Sequence, residues 1–121
     1  MQADASGPVE VTTRQEGGFT IVAVRGEVDL YSSPRMREAI LAGVSRKNPR
    51  VIVDLSAVSY MDSSGIATLV EALQLTRKHA GNLVVAGLSE RVREVFELAR
   101  LESVFQLAPS VAEALKSSGS A

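Results

Sequence analysis

The sequence has no cysteine, no tryptophan and a single histidine, His79. Without cysteine there can be no disulfide framework, no Cys-ligated zinc and no thiol nucleophile, and a histidine-based metal site within one chain would have to recruit carboxylates. No metal and no cofactor are therefore expected. Charge of one sign is missing as well. With 13 Lys+Arg against 14 Asp+Glu and a net charge of −1, the chain projects no long-range field toward nucleic acid or an anionic membrane. No apolar stretch approaches the roughly 20 residues that cross a bilayer, so direct membrane insertion is not expected. Residues 1–8 are small and polar and lack the basic start and apolar core of a secretory signal, which makes a cytoplasmic location the default.

What remains is 121 residues, 45% hydrophobic and 22% charged, the profile of one globular domain. A chain of this size buries roughly two thirds of its unfolded surface, enough for a core without staples. Both ends look loose: residues 1–8 and 116–121 are expected to be disordered, with one domain over 9–115.

Val9, Val11 and Thr13 alternate with Glu10, Thr12 and Arg14, the pattern of a half-buried strand. Gly17-Gly18 supplies a tight hairpin, and the apolar run from Phe19 to Val24 reads as an antiparallel interior partner that Gly26 ends. Glu27 to Ser32 follows as a short connection. Ser33-Pro34 opens a helix carrying Met36, Ile40, Leu41 and Val44 inward, which Asn48-Pro49 stops. Val51 to Leu55 is a strand, with Asp54 inside it capping a turn or facing solvent. Ile66, Leu69, Val70 and Leu73 recur at helical spacing up to Gly81-Asn82, and Leu83 to Ala86 is a strand parallel to the previous one. Ser89 opens a helix with Val92, Val95, Phe96 and Ala99 inward, and Arg91, Arg93, Glu94, Glu97 and Arg100 on a solvated outer face. Val104, Phe105 and Leu107 form a last short strand. Ser110 and Glu113 form a capping box for a final helix with Val111, Ala112 and Leu115 inward. The order is β-β-α-β-α-β-α-β-α, an α/β fold.

The segment from Leu55 to Ile66 joins a strand to the long helix, where α/β sheets commonly bind ligands. Asp62 caps that helix through the amide of Ser64 or Gly65, which leaves Ser63 at the first helical position with a free hydroxyl. Tyr60 and Met61 pack the loop, Met61 alternatively offering an adaptable apolar contact beside Ser63. A hydrolase is excluded by arithmetic: His79 lies 16 positions beyond Ser63 on the same helix, roughly 24 Å away at 1.5 Å per residue. No Gly-x-Ser-x-Gly turn surrounds the serine, and no phosphate-cradling loop exists. The chain is not expected to be an enzyme.

Gly26-Glu27-Val28-Asp29-Leu30-Tyr31-Ser32-Ser33-Pro34, Val53-Asp54-Leu55, Tyr60-Met61-Asp62-Ser63-Ser64-Gly65 and Leu88-Ser89-Glu90-Arg91-Val92, in this order and spacing, resemble the STAS domain of bacterial anti-sigma factor antagonists. The resemblance runs from about Val9 to Leu115. It implies a STAS fold, a small mixed β-sheet of four to five strands flanked by about four helices, and a partner-switching role. In that scheme the unphosphorylated antagonist binds an anti-sigma factor with serine kinase activity and frees a sigma factor. Phosphorylation ends the binding, and a serine phosphatase resets it. By register the phosphorylated residue is Ser63. The resemblance extends partner contact to Asp29, Tyr31, Ser33, Met61, Asp62, Ser64 and Gly65. Ala67 departs from the family, which often has glycine there. The rival reading is a non-switching STAS scaffold, either in a stress-signalling assembly or as a cytoplasmic subunit of an ABC lipid transporter.

Overall fold

The computed structural model describes residues 9–45, 47 and 49–119. Residues 1–8 and 120–121, and Asn48 of the expected helix stop, lie outside them. The elements are β1 (Val9–Glu16), β2 (Phe19–Val28), α1 (Ser33–Val44), β3 (Arg50–Met61), α2 (Ser63–Lys78), β4 (Asn82–Ala86), α3 (Glu90–Leu98), β5 (Gln106–Ala108) and α4 (Val111–Gly119), in the expected order. Residues 116–119 thus continue the last helix where the sequence suggested a tail. Ser117 Oγ donates to the Glu113 carbonyl there, and Lys116 suits the negative end of the helix dipole.

The five strands form one sheet in the order β1-β2-β3-β4-β5. β1 and β2 are an antiparallel hairpin through Gly17 and Gly18, at φ 59° and 82°, conformations that cost a side-chain-bearing residue but not glycine. The other neighbours are parallel, each joined by a helical crossover, so the C-terminal ends of β2, β3 and β4 share one rim. Met36, Ile40 and Val44 of α1, Ile66, Leu69 and Leu73 of α2, and Val92 and Phe96 of α3 bury one face of the sheet in the main core. α4 closes part of the opposite face over Phe19, Ile21, Ile52 and Val84 through Ala114, with Val111 and Leu115 beside it.

Four local expectations shift. β2 continues through Gly26 (φ 112°) to Val28. Phe105 precedes β5 and stacks edge-on against Phe96, centroids 5.5 Å apart, which leaves Val104 exposed outside the strand. In α3 and α4, Ala99 and Ala112 face solvent, and Ala114 takes the inward position. The fourth concerns β3, which runs to Met61 rather than ending at Leu55. Between Ala23 and Glu27 its register against β2 slips twice, so that it carries two bulges, which sharpen twist and re-aim side chains.

The end of α2 also departs from the glycine stop. Ala80 N–H donates to the Arg77 carbonyl and Gly81 N–H to that of Thr76, the pairing of a Schellman cap, whose left-handed residue is Ala80 at φ 58°. Gly81 is required for a different reason: a Cβ there would lie 2.1 Å from the Pro49 carbonyl oxygen. Ala80→Gly is accordingly expected to stabilise the protein by about 0.5–1 kcal/mol, read as a higher urea midpoint at unchanged slope.

Candidate functional site

Two segments meet at the rim where β2 and β3 end. The first is the β2–α1 connection. Asp29 Oδ1 accepts the N–H groups of Tyr31 at 2.9 Å and Ser32 at 3.0 Å, an Asx-type turn. Ser32 Oγ donates to the Glu27 carbonyl at 2.7 Å, has the Asp29 carboxylate at 3.1 Å, and accepts the Asp29 N–H at 2.9 Å. Only 1% of Ser32 is exposed. These contacts hold the Asp29 carboxyl below the usual carboxylate range, the Ser32 N–H contributing most and partial desolvation opposing it.

The turn pushes Leu30 and Tyr31 into solvent, 67% and 88% exposed. A connection this short, tied to its own backbone, has no room to fold them back.

The second segment is the β3–α2 junction. Asp62 is the N-cap of α2, in extended backbone, with Oδ1 accepting the Ser64 N–H at 2.9 Å. The Ser64 hydroxyl donates to the same oxygen. Ser63 occupies the first helical position and is exposed. Its hydroxyl has no hydrogen-bond partner among the described residues, the arrangement expected from the cap. Asp62 N–H donates to the Val28 carbonyl at 3.0 Å and joins the two segments. His79 is the C-cap at the far end of α2.

The structure brings Asp29, Tyr31, Asp62, Ser63 and Ser64 to one rim and removes three expected contact residues from the surface. Met61 is 1% exposed and Ser33 7%; Gly65 is buried too. Met61 returns to the core because the second bulge points Tyr60 outward in its place. Ser33 is drawn under by its N–H bond to the Asp29 carbonyl at 2.8 Å. Ser32, and not Ser33, is the N-cap position of α1, although its side chain serves the turn and not the helix. Gly65 sits where an added Cβ would meet Met61 Cγ at 2.6 Å and Val28 Cγ1 at 2.9 Å. These residues shape the site from below.

Three residues were placed only coarsely: Leu30 and Ser32 fall within the Glu27-to-Ser33 segment that the resemblance implies as a second surface beside Ser63, and Tyr60, expected to pack the loop, is 41% exposed beside the rim. The signal for Ser32 was its spacing of three from Asp29, which suits a side-chain-closed turn. Ser32→Ala is expected to cost about 1–2 kcal/mol, since it leaves the Asp29 N–H and Glu27 carbonyl short of a partner. It should also move the Asp29 pKa back up toward the ordinary value in a carboxyl NMR titration. The sign follows from linkage: a depressed carboxyl stabilises the fold above its unfolded pKa, and that contribution is lost as pH falls through the lowered folded value. In Ser32→Ala, which keeps the Ser32 N–H, that contribution should be smaller and its loss complete at a higher pH.

Elsewhere the chemistry is sparse. Among the described residues no group of three or more His, Asp or Glu side chains could hold a metal ion, and no helix is long and apolar enough to cross a membrane.

A family model for the STAS domain matches residues 10–114, and the chain belongs to that family. It is 34% identical over 99 residues to an anti-sigma-B factor antagonist of Listeria monocytogenes, covering 82% of this chain and 86% of that one. An anti-sigma factor antagonist from Mycobacterium paratuberculosis, 27% identical, superposes with a TM-score of 0.83 over 96% of this chain and 97% of that one. SpoIIAA in its unphosphorylated form shares the fold at 19% identity, with a TM-score of 0.76 over 93% and 98%. In the phosphorylated form of Bacillus SpoIIAA the values are 18% and 0.69, over 90% and 99%.

Proposed function

We propose that this chain is an anti-sigma factor antagonist of the cytoplasm: it binds an anti-sigma factor with serine kinase activity while Ser63 is unmodified, and loses that partner when Ser63 is phosphorylated. The observation that carries this reading is the Ser63 hydroxyl, exposed and unengaged at the mouth of α2, next to a neighbour whose hydroxyl is committed to Asp62. The names of the relatives support the partner class. In the modification the Ser63 Oγ–P bond forms, the bond from the γ-phosphorus of ATP to ADP breaks, and the hydroxyl proton leaves to a base. That base must come from the partner, because among the described residues no side chain is hydrogen-bonded to Ser63 and His79 caps the other end of α2. A serine phosphatase would restore the hydroxyl. The chain thus acts as ligand and substrate, not as catalyst.

Leu30, Tyr31 and Tyr60 supply apolar contact around the acceptor, while Asp29 and Asp62 supply charge. Exposed aromatics beside polar groups are the composition of a protein-binding surface. The test is incubation of the purified chain with candidate anti-sigma kinases and ATP, followed by intact mass and site mapping. A gain of one phosphate on the parent protein and none on Ser63→Ala is expected. A phosphate gained by Ser63→Ala would refute the assignment, and recovery of an ABC transporter ATPase in place of an anti-sigma factor would favour the scaffold reading.

A further inference from the structure

α4 covers only part of the second face of the sheet. Beyond it lies a shallow concavity of about 200 Å³ lined by Glu10, Thr12, Ala23, Arg25 and, from β3, Asp54 and Ala57. Strand alternation explains why these side chains share a face. Val22, Val24 and Val28 of β2 point into the main core, so Ala23, Arg25 and Glu27 point the other way. On β3 the two bulges keep the cross-strand partners in step: Ala23 faces Asp54, Arg25 faces Ala57, and Glu27 faces Tyr60. The same face of β2 and β3 continues past the concavity to the next cross-strand pair, Glu27 and Tyr60, beside the rim that holds Asp62 and Ser63.

Its floor and its charges are both open. Ala23 and Ala57 are the smallest side chains along the row. Glu10, Arg25 and Glu27 make no side-chain hydrogen bond or ion pair among the described residues, even though Glu10 and Arg25 face each other in the register. Asp54 is partly engaged, its Oδ1 accepting the Ser56 N–H at 3.0 Å. Glu10, Glu27 and Asp54 outnumber Arg25, and the rim above adds Asp29 and Asp62.

We infer that this open sheet face is a second half of the docking surface, and that it takes an extended, Lys/Arg-bearing segment of the same anti-sigma factor that reaches Ser63. The inference rests on the function proposed above. Continuity with the rim fixes the partner, since a protein seated over Tyr60 and Ser63 has the groove immediately beside it. The excess of unpaired carboxylate fixes the chemistry of the segment, and the alanine floor lets its backbone approach.

The experiment measures binding of the anti-sigma factor that modifies Ser63 to four versions of the full chain: parent, Ala57→Arg, Arg25→Glu and Ser63→Asp. Ala57→Arg places a cation on the floor and should weaken binding at least tenfold. Arg25→Glu removes the opposing charge and should tighten it about threefold, with a steeper loss of affinity as salt is raised. Both positions are exposed, so the melting temperature should stay near that of the parent; where Ala57→Arg fails to fold, Glu10→Lys gives the same reversal of charge. Ala57→Arg, or Glu10→Lys in its place, binding within twofold of the parent, or Arg25→Glu binding more weakly, overturns the inference. Ser63→Asp separates the two levels: if it weakens binding while the groove variants do not, only the groove falls, and if no anti-sigma factor binds the unmodified chain, both fall.

Discussion

Ser63→Asp is expected to weaken binding of the anti-sigma factor by about a hundredfold, roughly 2.7 kcal/mol, while the melting temperature moves by no more than a few degrees. A phosphate on Ser63 should act more strongly, because it adds about −1.5 to −2 charge units where aspartate adds one. The two halves of this expectation have separate causes. Loss of binding comes from desolvating a second anion beside Asp62 at a surface that the partner must cover; a charge buried at an interface without a partner costs about 2–5 kcal/mol. Retention of the fold comes from the position of Ser63 in the first turn of α2, where unpaired amides and the positive end of the helix dipole tolerate an anion. Ser63→Ala, which removes the acceptor and adds no charge, should bind within a few-fold of the parent. Titration calorimetry and a thermal melt on the same samples check both halves. Unfolding of Ser63→Asp, or binding equal to that of the parent, would falsify the interface switch.

The chemical features of the site were legible wherever they depend on neighbours in sequence. An aspartate before a helix caps it, the next residue is left free, and Asp62 and Ser63 do this with no help from the rest of the fold. The hairpin at Gly17-Gly18 and the helix start at Ser89, whose hydroxyl accepts the Val92 N–H at 3.2 Å, are equally local. The end of β3 was illegible for a definite reason. Its buried residues after Val53 are Leu55, Val58 and Met61, three apart where a regular strand would place them two apart. Each bulge inserts one residue against β2, and twice over this turns a period of two into a period of three. Read without the partner strand, that spacing says loop, and it leaves Met61 open between packing and an exposed contact. Ser33 was misplaced because the turn closed by Ser32 forms only once Val28 has been carried to the end of the extended β2. What the resemblance supplied was a list of contact residues. The bulges and the turn decide which of those residues surface.

Gly65→Ala tests how tightly those buried residues set the height of Ser63. In a helix, alanine is intrinsically favoured over glycine by about 1 kcal/mol, so on propensity alone the substitution stabilises. Packing opposes it. The new methyl would stand 2.6 Å from Met61 Cγ and 2.9 Å from Val28 Cγ1, distances that real contacts do not reach. Met61 and Val28 are both fully enclosed in the core, and overpacking of this kind costs about 1–3 kcal/mol. Two contacts below 3.0 Å put the cost in the upper part of that range, about 2–3 kcal/mol, so the clash should win with a net loss of about 1–2 kcal/mol once the propensity gain is subtracted. Met61→Ala alone should cost about 2–4 kcal/mol through the cavity it leaves. In the double variant the added methyl enters part of that cavity, so its loss should fall short of the sum of the single losses by about 1 kcal/mol or more, a coupling readable from a double-mutant cycle in urea. The same clash should lift the first turn of α2 away from the ends of β2 and β3, lengthen the bond from Asp62 N–H to the Val28 carbonyl, and so weaken partner binding in Gly65→Ala although Gly65 itself is buried. Additive losses, or a Gly65→Ala protein as stable as the parent, would mean that α2 rides loosely on the sheet and that the position of Ser63 is set by its cap alone.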